Sequence, residues 1–421
     1  MKKTNIPWAP YVPDNWIIER GKRVLDLKKR PVRDNDEVIT CFRDGEVILR
    51  SLRRTEGFTM SDKEIGYQGI NEGDIVIHGM DGFAGAMGVS KSTGKGSPVL
   101  VVCTPKNNHN SRYLIFYLRT LAYNNVFLAL STGIRERSCD LKWNKISELD
   151  FLLPPIEEQK AIAEIIDRKC GEVDEMVSLQ EQVIEELKAY KQSVITEAVT
   201  KGLNPTAPMK PSNIDWIGQI PTHWEQDKVS RVFKTIGSGT TPSSSDDSAY
   251  DGSINWIQSG DINGGDLFEV SNRINDETLK KYSALYIYQA PFIIIAMYGA
   301  SVGNISISHI DGCVNQACCV LSETSLELKF AFYTLKSVQD YLIYKAVGGG
   351  QPNISQKTIK QLWLPVPPLS EQREIADYLD RKCADIDALI ALKQQKIEDL
   401  KQYKKSLIYE YVTGKKQVFP S

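Results

Sequence analysis

The chain has 421 residues, 42% of them hydrophobic and 25% charged, a composition that supports more than one buried core and argues against disorder as the main state. No run approaches the roughly 18 consecutive apolar residues of a membrane span, and the opening Met-Lys-Lys-Thr-Asn-Ile-Pro lacks a signal peptide's apolar stretch, so a cytoplasmic protein without membrane contact is expected. A net charge of −2 argues against a polyanion binder that works by bulk charge, and puts the weight on how charge is distributed along the chain.

A first block is expected over residues 1–152. Residues 1–150 hold 23 basic and 18 acidic groups. Apolar runs at 74–77 and 99–102 read as strands, the glycines of 79–88 as a flexible loop, and 112–130 as helical. After Pro154-Pro155 a long helix is expected within 153–203. Three prolines, Pro205, Pro208 and Pro211, mark residues 201–211 as a linker. A second block follows over 204–365, with strands at 291–297 and 318–321 and helix at 326–346. Residues 201–365 hold 13 basic and 15 acidic groups. A second long helix within 366–421 closes the chain.

Internal duplication organises these elements. Residues 153–200 laid on 366–413, a constant shift of 213, are identical at 24 of 48 positions. The shared landmarks include Pro154-Pro155 with Pro367-Pro368, Glu158-Gln159 with Glu371-Gln372, and Asp167-Arg168-Lys169-Cys170 with Asp380-Arg381-Lys382-Cys383. A fainter echo aligns Trp8, Pro13 and Trp16 with Trp216, Pro221 and Trp224 at a shift of 208.

The repeated segments carry an apolar seam. In the first copy it is read through Ile162, Ile166, Val173, Met176, Val183, Leu187, Tyr190 and Val194. In the second it is read through Ile375, Leu379, Ile386, Leu389, Leu400, Tyr403 and Leu407. Each seam wants a partner, and antiparallel pairing with the other copy is the economical solution. Residues 151–200 carry 5 basic and 11 acidic groups, and 366–421 carry 10 and 9, which suits pairing of unlike helices. Polar interruptions at Lys169, Gln180, Lys382, Lys393 and Lys396 would set register. The fold class expected is therefore α+β: two mixed α/β blocks separated by two long antiparallel, coiled-coil-like helices, with a pseudo-twofold repeat. Two surface helices lying on separate domains is the plainer alternative.

No catalytic motif stands out. A phosphate-binding loop is absent, because Gly94-Lys95 is followed by Gly96. Asn204-Pro205 opens like an aminomethyltransferase signature, but Thr206-Ala207 completes it wrongly. The eight cysteines lack zinc-site spacing and read as reduced, mostly core thiols. The four histidines, His78, His109, His223 and His309, are too dispersed for a metal site or catalytic dyad. No metal and no cofactor are expected on this chain.

Nucleic-acid contact has more support. In the first block Arg50, Arg53, Arg54, Arg135 and Arg137, with His78 and Lys91, are candidates, since arginine forks contact phosphates and guanine edges. The second block must work by local geometry. Its candidates lie on glycine-containing polar loops: Ser238, Thr240, Thr241 and Ser243; Gln258 and Ser259; Tyr298 and Ser301; Gln351 and Asn353. Glycine permits close backbone approach, and Gln, Asn, Ser and Thr match base edges in the major groove. An ordinary solvated face or turn remains the plain reading of any one of them.

With repeat and loops assembled, the whole chain resembles the specificity subunits of type I restriction-modification systems. The motifs carrying the likeness are Leu-Pro-Pro-Ile-Glu-Glu-Gln at 153–159 and Val-Pro-Pro-Leu-Ser-Glu-Gln at 366–372. The second block adds Gly-Thr-Thr-Pro-Ser at 239–243, Trp-Ile-Gln-Ser-Gly-Asp-Ile at 256–262, Asn315-Gln316 and Gly-Gly-Gly-Gln-Pro-Asn-Ile-Ser at 348–355. The first block lacks the Gly-Thr-Thr-Pro-Ser loop.

The resemblance implies two target-recognition domains, 1–152 and 204–365, each reading half of a bipartite double-stranded DNA site, with the helices as a ruler of about one DNA turn. It implies two adenine-N6 methyltransferase subunits and restriction/translocase subunits as partners, with S-adenosylmethionine, ATP and Mg on those partners. A coiled-coil adaptor that binds proteins instead of DNA is the rival reading, and an enzyme with an unrecognised site a third.

Overall fold

The computed structural model describes residues 1–53, 65–129, 141–243, 247–346 and 353–419. The chain forms two compact units, Met1–Glu181 with Gln394–Ser421, and Gln182–Lys393. The long helices, Ile156–Lys201 and Leu369–Val412, each run from one unit into the other. Both begin just after a Pro-Pro pair, whose missing N–H groups cost nothing where a helix has no partners for its first amides.

In the first unit an antiparallel sheet has the strand order Leu25–Leu27, Leu100–Pro105, Ile75–His78, Met87–Val89. Ile75 and Ile77 face a core with Cys103, Tyr113 and Leu118, while Val76 faces a second core with Ile39, Val47 and Val102. Both faces are buried, which is why the run is continuously apolar and does not alternate. Each fully buried side chain of this size contributes roughly 1.5–3 kcal/mol.

The second unit repeats the arrangement with Phe233–Gly237, Cys318–Thr324, Phe292–Ala296 and Ile305–Ser308, and adds Asp266–Leu267 in parallel at the edge. Ile293 and Ile295 point into one core and Phe292, Ile294 and Ala296 into the other. The duplication thus extends through the sheets, where side-chain identity has faded.

The repeated helix-start motif is explained by what it holds. Trp16 Nε1 donates to Glu158 at 3.0 Å in the first unit, and Trp224 Nε1 donates to Glu371 at 3.0 Å in the second. Gln159 and Gln372 are buried. The Gln159 amide donates to the Pro154 carbonyl at 2.9 Å and accepts from Asn110 N at 3.0 Å. Gln372 does the same with Pro367 (2.8 Å) and Glu327 N (2.7 Å). Asn110 and Glu327 are in turn the N-caps of helices Ser111–Tyr123 and Leu328–Ser337. One glutamine therefore ties the start of each long helix to the cap of its unit's main helix.

The long helices pair antiparallel. In the first unit Lys404 reaches Asp174, and in the second Lys191 reaches Asp387. The apolar seam differs from the sequence reading by one position in its middle. Met176, Tyr190, Leu389 and Tyr403 are exposed, at 46%, 50%, 46% and 51%. The covered stripe runs instead through Val173, Val177, Gln180, Ile184, Leu187 and Lys191, with Val183 half-buried beside it, and in the other copy through Ile386, Ile390, Lys393, Ile397, Leu400 and Lys404. This is an unbroken 4,3 spacing, whereas stepping from Val173 to Met176 puts a 3 where the rotation of the helix needs a 4. Gln180 and Lys393 do interrupt the seam as expected, but Lys396 is exposed and lies off it.

Three local expectations are corrected. The glycine stretch 79–88 is not a free loop: it holds a 3-10 turn, Gly82–Ala84, and enters strand Met87–Val89. Gly88 is there for space, since a Cβ would lie 2.0 Å from the Gly45 carbonyl oxygen. The helix expected at 112–130 breaks after Tyr123, where Asn125 takes φ 59°, and that at 326–346 divides at Val338. The linker ends early, because Met209–Ile214 is a strand paired with Ile217–Pro221. That two-stranded ribbon has an open edge, where Pro211 needs no ladder donor.

The seven described cysteines are buried and free, and burial pushes the Cys41 thiol up to about 12. Among the described residues no helix is long and apolar enough to cross a membrane.

Candidate nucleic-acid interface

In the second unit the candidate loops meet. Strand Phe233–Gly237 delivers the chain into residues 238–243, and Gly239 lies so close to its neighbour that a Cβ would stand 1.7 Å from the Val314 carbonyl oxygen. Ser238 Oγ donates to the Gln316 carbonyl at 3.4 Å, and the Thr241 hydroxyl donates to Gln316 Oε1. Asn315 N donates to the Ile257 carbonyl at 3.0 Å, which brings residues 315–316 beside Gln258. Ser301 Oγ donates to the Ser259 carbonyl at 2.7 Å. Ile354 N donates to Met297 at 2.7 Å, so exposed Asn353 borders Tyr298. All the described candidates of this block thus belong to one connected polar surface, although they span more than a hundred residues of sequence.

The backbone of 238–243 is pinned by aromatic donors and acceptors that the sequence reading passed over. Tyr288 donates its hydroxyl to the Ser238 carbonyl at 3.0 Å, and Trp256 Nε1 donates to the Thr240 carbonyl at 3.3 Å. Tyr250 donates its hydroxyl to the Pro242 carbonyl at 2.8 Å, and the Tyr282 hydroxyl accepts from Ser243 N at 3.1 Å. Burial pushes the Tyr288 phenol up to about 12, so it stays a donor at neutral pH. The signal available in sequence was four large aromatics amid small polar residues. Gln258 and Asp261 cap each other's turn, with Gln258 N donating to Asp261 at 2.8 Å. Beside it, Asp251, Asp261 and Glu269 line an open hollow with Arg273, so local charge here does not attract phosphates.

In the first unit Arg53 and Lys91 are committed to ion pairs, and Arg50 and His78 to hydrogen bonds. Arg53 bonds Asp44, and its other Nη donates to Glu46 at 3.1 Å, with the guanidinium 4.3 Å from the Phe42 ring centroid. The Arg53 hydrogen bond holds the Asp44 carboxyl below its ordinary range. Lys91 reaches the other oxygen of Glu46 at 2.9 Å. Arg50 Nε donates to Thr40 Oγ1 at 3.1 Å from the turn Arg50–Leu52. His78 is less outward than expected: its Nδ1 accepts from Asp81 N at 3.0 Å, and burial lowers its pKa. Arg43, which sequence reasoning missed, pairs with the same Asp81 at 2.8 Å. Arg54, Arg135, Arg137 and Gln351 lie outside the described residues.

The chain is a duplicated α+β protein with paired long helices and a pinned polar loop surface. The family model for the type I restriction modification DNA specificity domain matches residues 53–189 and 221–402, and the chain belongs to that family. It is similar to the putative type I restriction enzyme MjaX specificity subunit of Methanocaldococcus jannaschii, 24% identical over 436 residues, covering 99% of this chain and 96% of the relative. The MjaVIII specificity subunit of the same organism is 26% identical over 422 residues, covering 97% and 94%. The EcoBI specificity subunit of Escherichia coli is 25% identical over 334 residues, covering 75% and 68%.

Among solved structures, a chain from work on complex assembly and conformational transition of the type I R-M system superposes with TM-score 0.71 at 18% identity, covering 96% of this chain and 98% of that one. The HsdS subunit from Thermoanaerobacter tengcongensis gives 0.53 at 18% identity, covering 97% and 100%. At these identities the structures speak for the fold.

Proposed function

We propose that the chain is the non-catalytic reader of a bipartite double-stranded DNA target, directing adenine-N6 methylation and restriction carried out by partner subunits. Residues 1–152 and 204–365 are the two recognition domains on this reading. The helices within 153–203 and 366–421 set the spacer between half-sites. Two methyltransferase subunits supply S-adenosylmethionine, and restriction/translocase subunits supply ATP and Mg chemistry.

The observation that carries this reading is the convergence of the 238–243, 258–259, 298–301 and 315–316 loops on one surface whose backbone is pinned. Side chains that read base edges need such a support, because a site loose by an ångström loses its discrimination. The family membership supports it independently. Lys91, an exposed ammonium paired to Glu46, fits phosphate contact, whereas Arg53, with both ends of its guanidinium taken, is not poised to fork onto guanine.

The test is anisotropy on a randomised duplex pool with the chain assembled on its methyltransferase partner, titrated with salt. DNA reading predicts a steep salt dependence together with a sequence-dependent residual. Binding to partner proteins with no DNA affinity at any salt would favour a protein adaptor instead. Residues inserted at 200–203 should change the preferred spacer and leave both half-site sequences unaltered.

A further inference from the structure

We infer that Gln316 is a base-reading side chain of the second recognition domain and that Thr241 is its positioning residue. The inference rests on the DNA reading proposed above and names the atoms that carry part of it. Thr241 and Gln316 are both exposed, and they lie on different loops joined by the hydrogen bond from the Thr241 hydroxyl to Gln316 Oε1. That bond engages one lone pair of the amide oxygen, and the NH2 group is the donor that the pair offers to a base.

Everything beneath the pair is held. The Thr240 carbonyl is fixed by Trp256, the Pro242 carbonyl by Tyr250 and the Ser243 amide by Tyr282. On the other side, Ser238 Oγ donates to the Gln316 main-chain carbonyl and the Asn315 amide is bonded to Ile257. Two loops tied down by these hydrogen bonds, with one amide between them oriented by a threonine, form a preorganised reader. A freely rotating glutamine offers donor and acceptor together and suits adenine N6/N7. With its oxygen engaged, Gln316 matches an acceptor in the major groove: guanine O6 or N7, adenine N7 or thymine O4. The N4 amino donor of cytosine is the weaker match, since the amide oxygen already accepts from Thr241.

The experiment uses the full chain assembled with its methyltransferase partner, selecting from a duplex pool with a randomised core and sequencing what is retained. Gln316→Ala should relax one position of the second half-site by roughly 2- to 10-fold in preference, the scale of one hydrogen bond, leaving the first half-site as it is. Gln316→Glu should turn that position toward cytosine, whose N4 group donates to a carboxylate. Thr241→Val should relax the same position, and Thr241→Ser, which keeps the hydroxyl, should restore it.

An unchanged second half-site in Gln316→Ala overturns the assignment and leaves the DNA reading standing. Relaxation of both half-sites together also overturns it, since that is the mark of a general structural loss. Failure of the parent assembly to enrich any sequence instead strikes at the DNA reading itself.

Discussion

Lys404 Nζ lies 2.6 Å from both carboxylate oxygens of Asp174. Shifting each partner by 213 residues gives Lys191 and Asp387, which make the same contact at 2.7 and 2.6 Å. The ion pair is thus a repeated element whose two members exchange helices between the copies. Each lysine also lies at a covered seam position, with its stem along the apolar stripe and its ammonium at the edge.

Lys404→Glu should lower stability by about 1 kcal/mol or less, the scale of a partly exposed pair, and Lys404→Glu with Asp174→Lys should recover most of it. Urea denaturation midpoints measure both. A double variant no better than the single one would show that the pair does not stabilise the fold.

The buried glutamines carry more. Gln159→Leu leaves the Asn110 amide and the Pro154 carbonyl without their partner, so a loss of roughly 1–3 kcal/mol is expected. Gln372→Leu should cost a similar amount through Glu327 and Pro367. Chemical denaturation of the two variants tests whether the duplicated motif acts alike in both places.

Glu46 holds both Arg53 and Lys91. Glu46→Gln should release Lys91 toward phosphates, Arg53 keeping its bond to Asp44, raising affinity for non-target duplex and steepening the log–log salt dependence by up to about 0.9. A salt titration with identical slopes for parent and variant would sink the phosphate role of Lys91.

Gly239→Ala forces a Cβ to within 1.7 Å of the Val314 carbonyl oxygen, so loop 238–243 must move. Recognition of one half-site should weaken more than tenfold on the proposed function, an order-of-magnitude figure for losing about one good base contact. Selection from a randomised duplex pool reads this directly. Equal weakening at both half-sites would contradict a local effect.

Burial lowers the His78 pKa, so the fold holds the neutral ring while the unfolded chain takes up a proton near 6.5. The contribution to stability is complete above that value and is lost as pH falls below it, because the unfolded state then binds more protons. His78→Asn should give a shallower fall in unfolding free energy from pH 7 to pH 5 than the parent. Equal slopes in the two proteins would remove His78 as a cause.

The long helices, their starts and their pairing were legible in sequence because duplication leaves identities wherever a side chain has a demanding job. Gln159 and Gln372 survive as identical residues since each must satisfy a carbonyl and an amide in a buried place. The seam was legible in its ends and misread in its middle. Met176 and Leu389 are apolar and sit one residue from the covered positions Val177 and Ile390, and hydrophobicity does not separate neighbours where both are apolar.

What sequence alone determined, then, is local and periodic: where helices begin, that the chain repeats, and that small polar loops are set among strands. Tertiary structure alone decided which loops share a surface. Thr241 and Gln316 are 75 residues apart, and no spacing rule relates them. They meet because a five-stranded sheet brings the ends of its strands to one place, and because four aromatic side chains from elsewhere in the unit bond the backbone of 238–243 there.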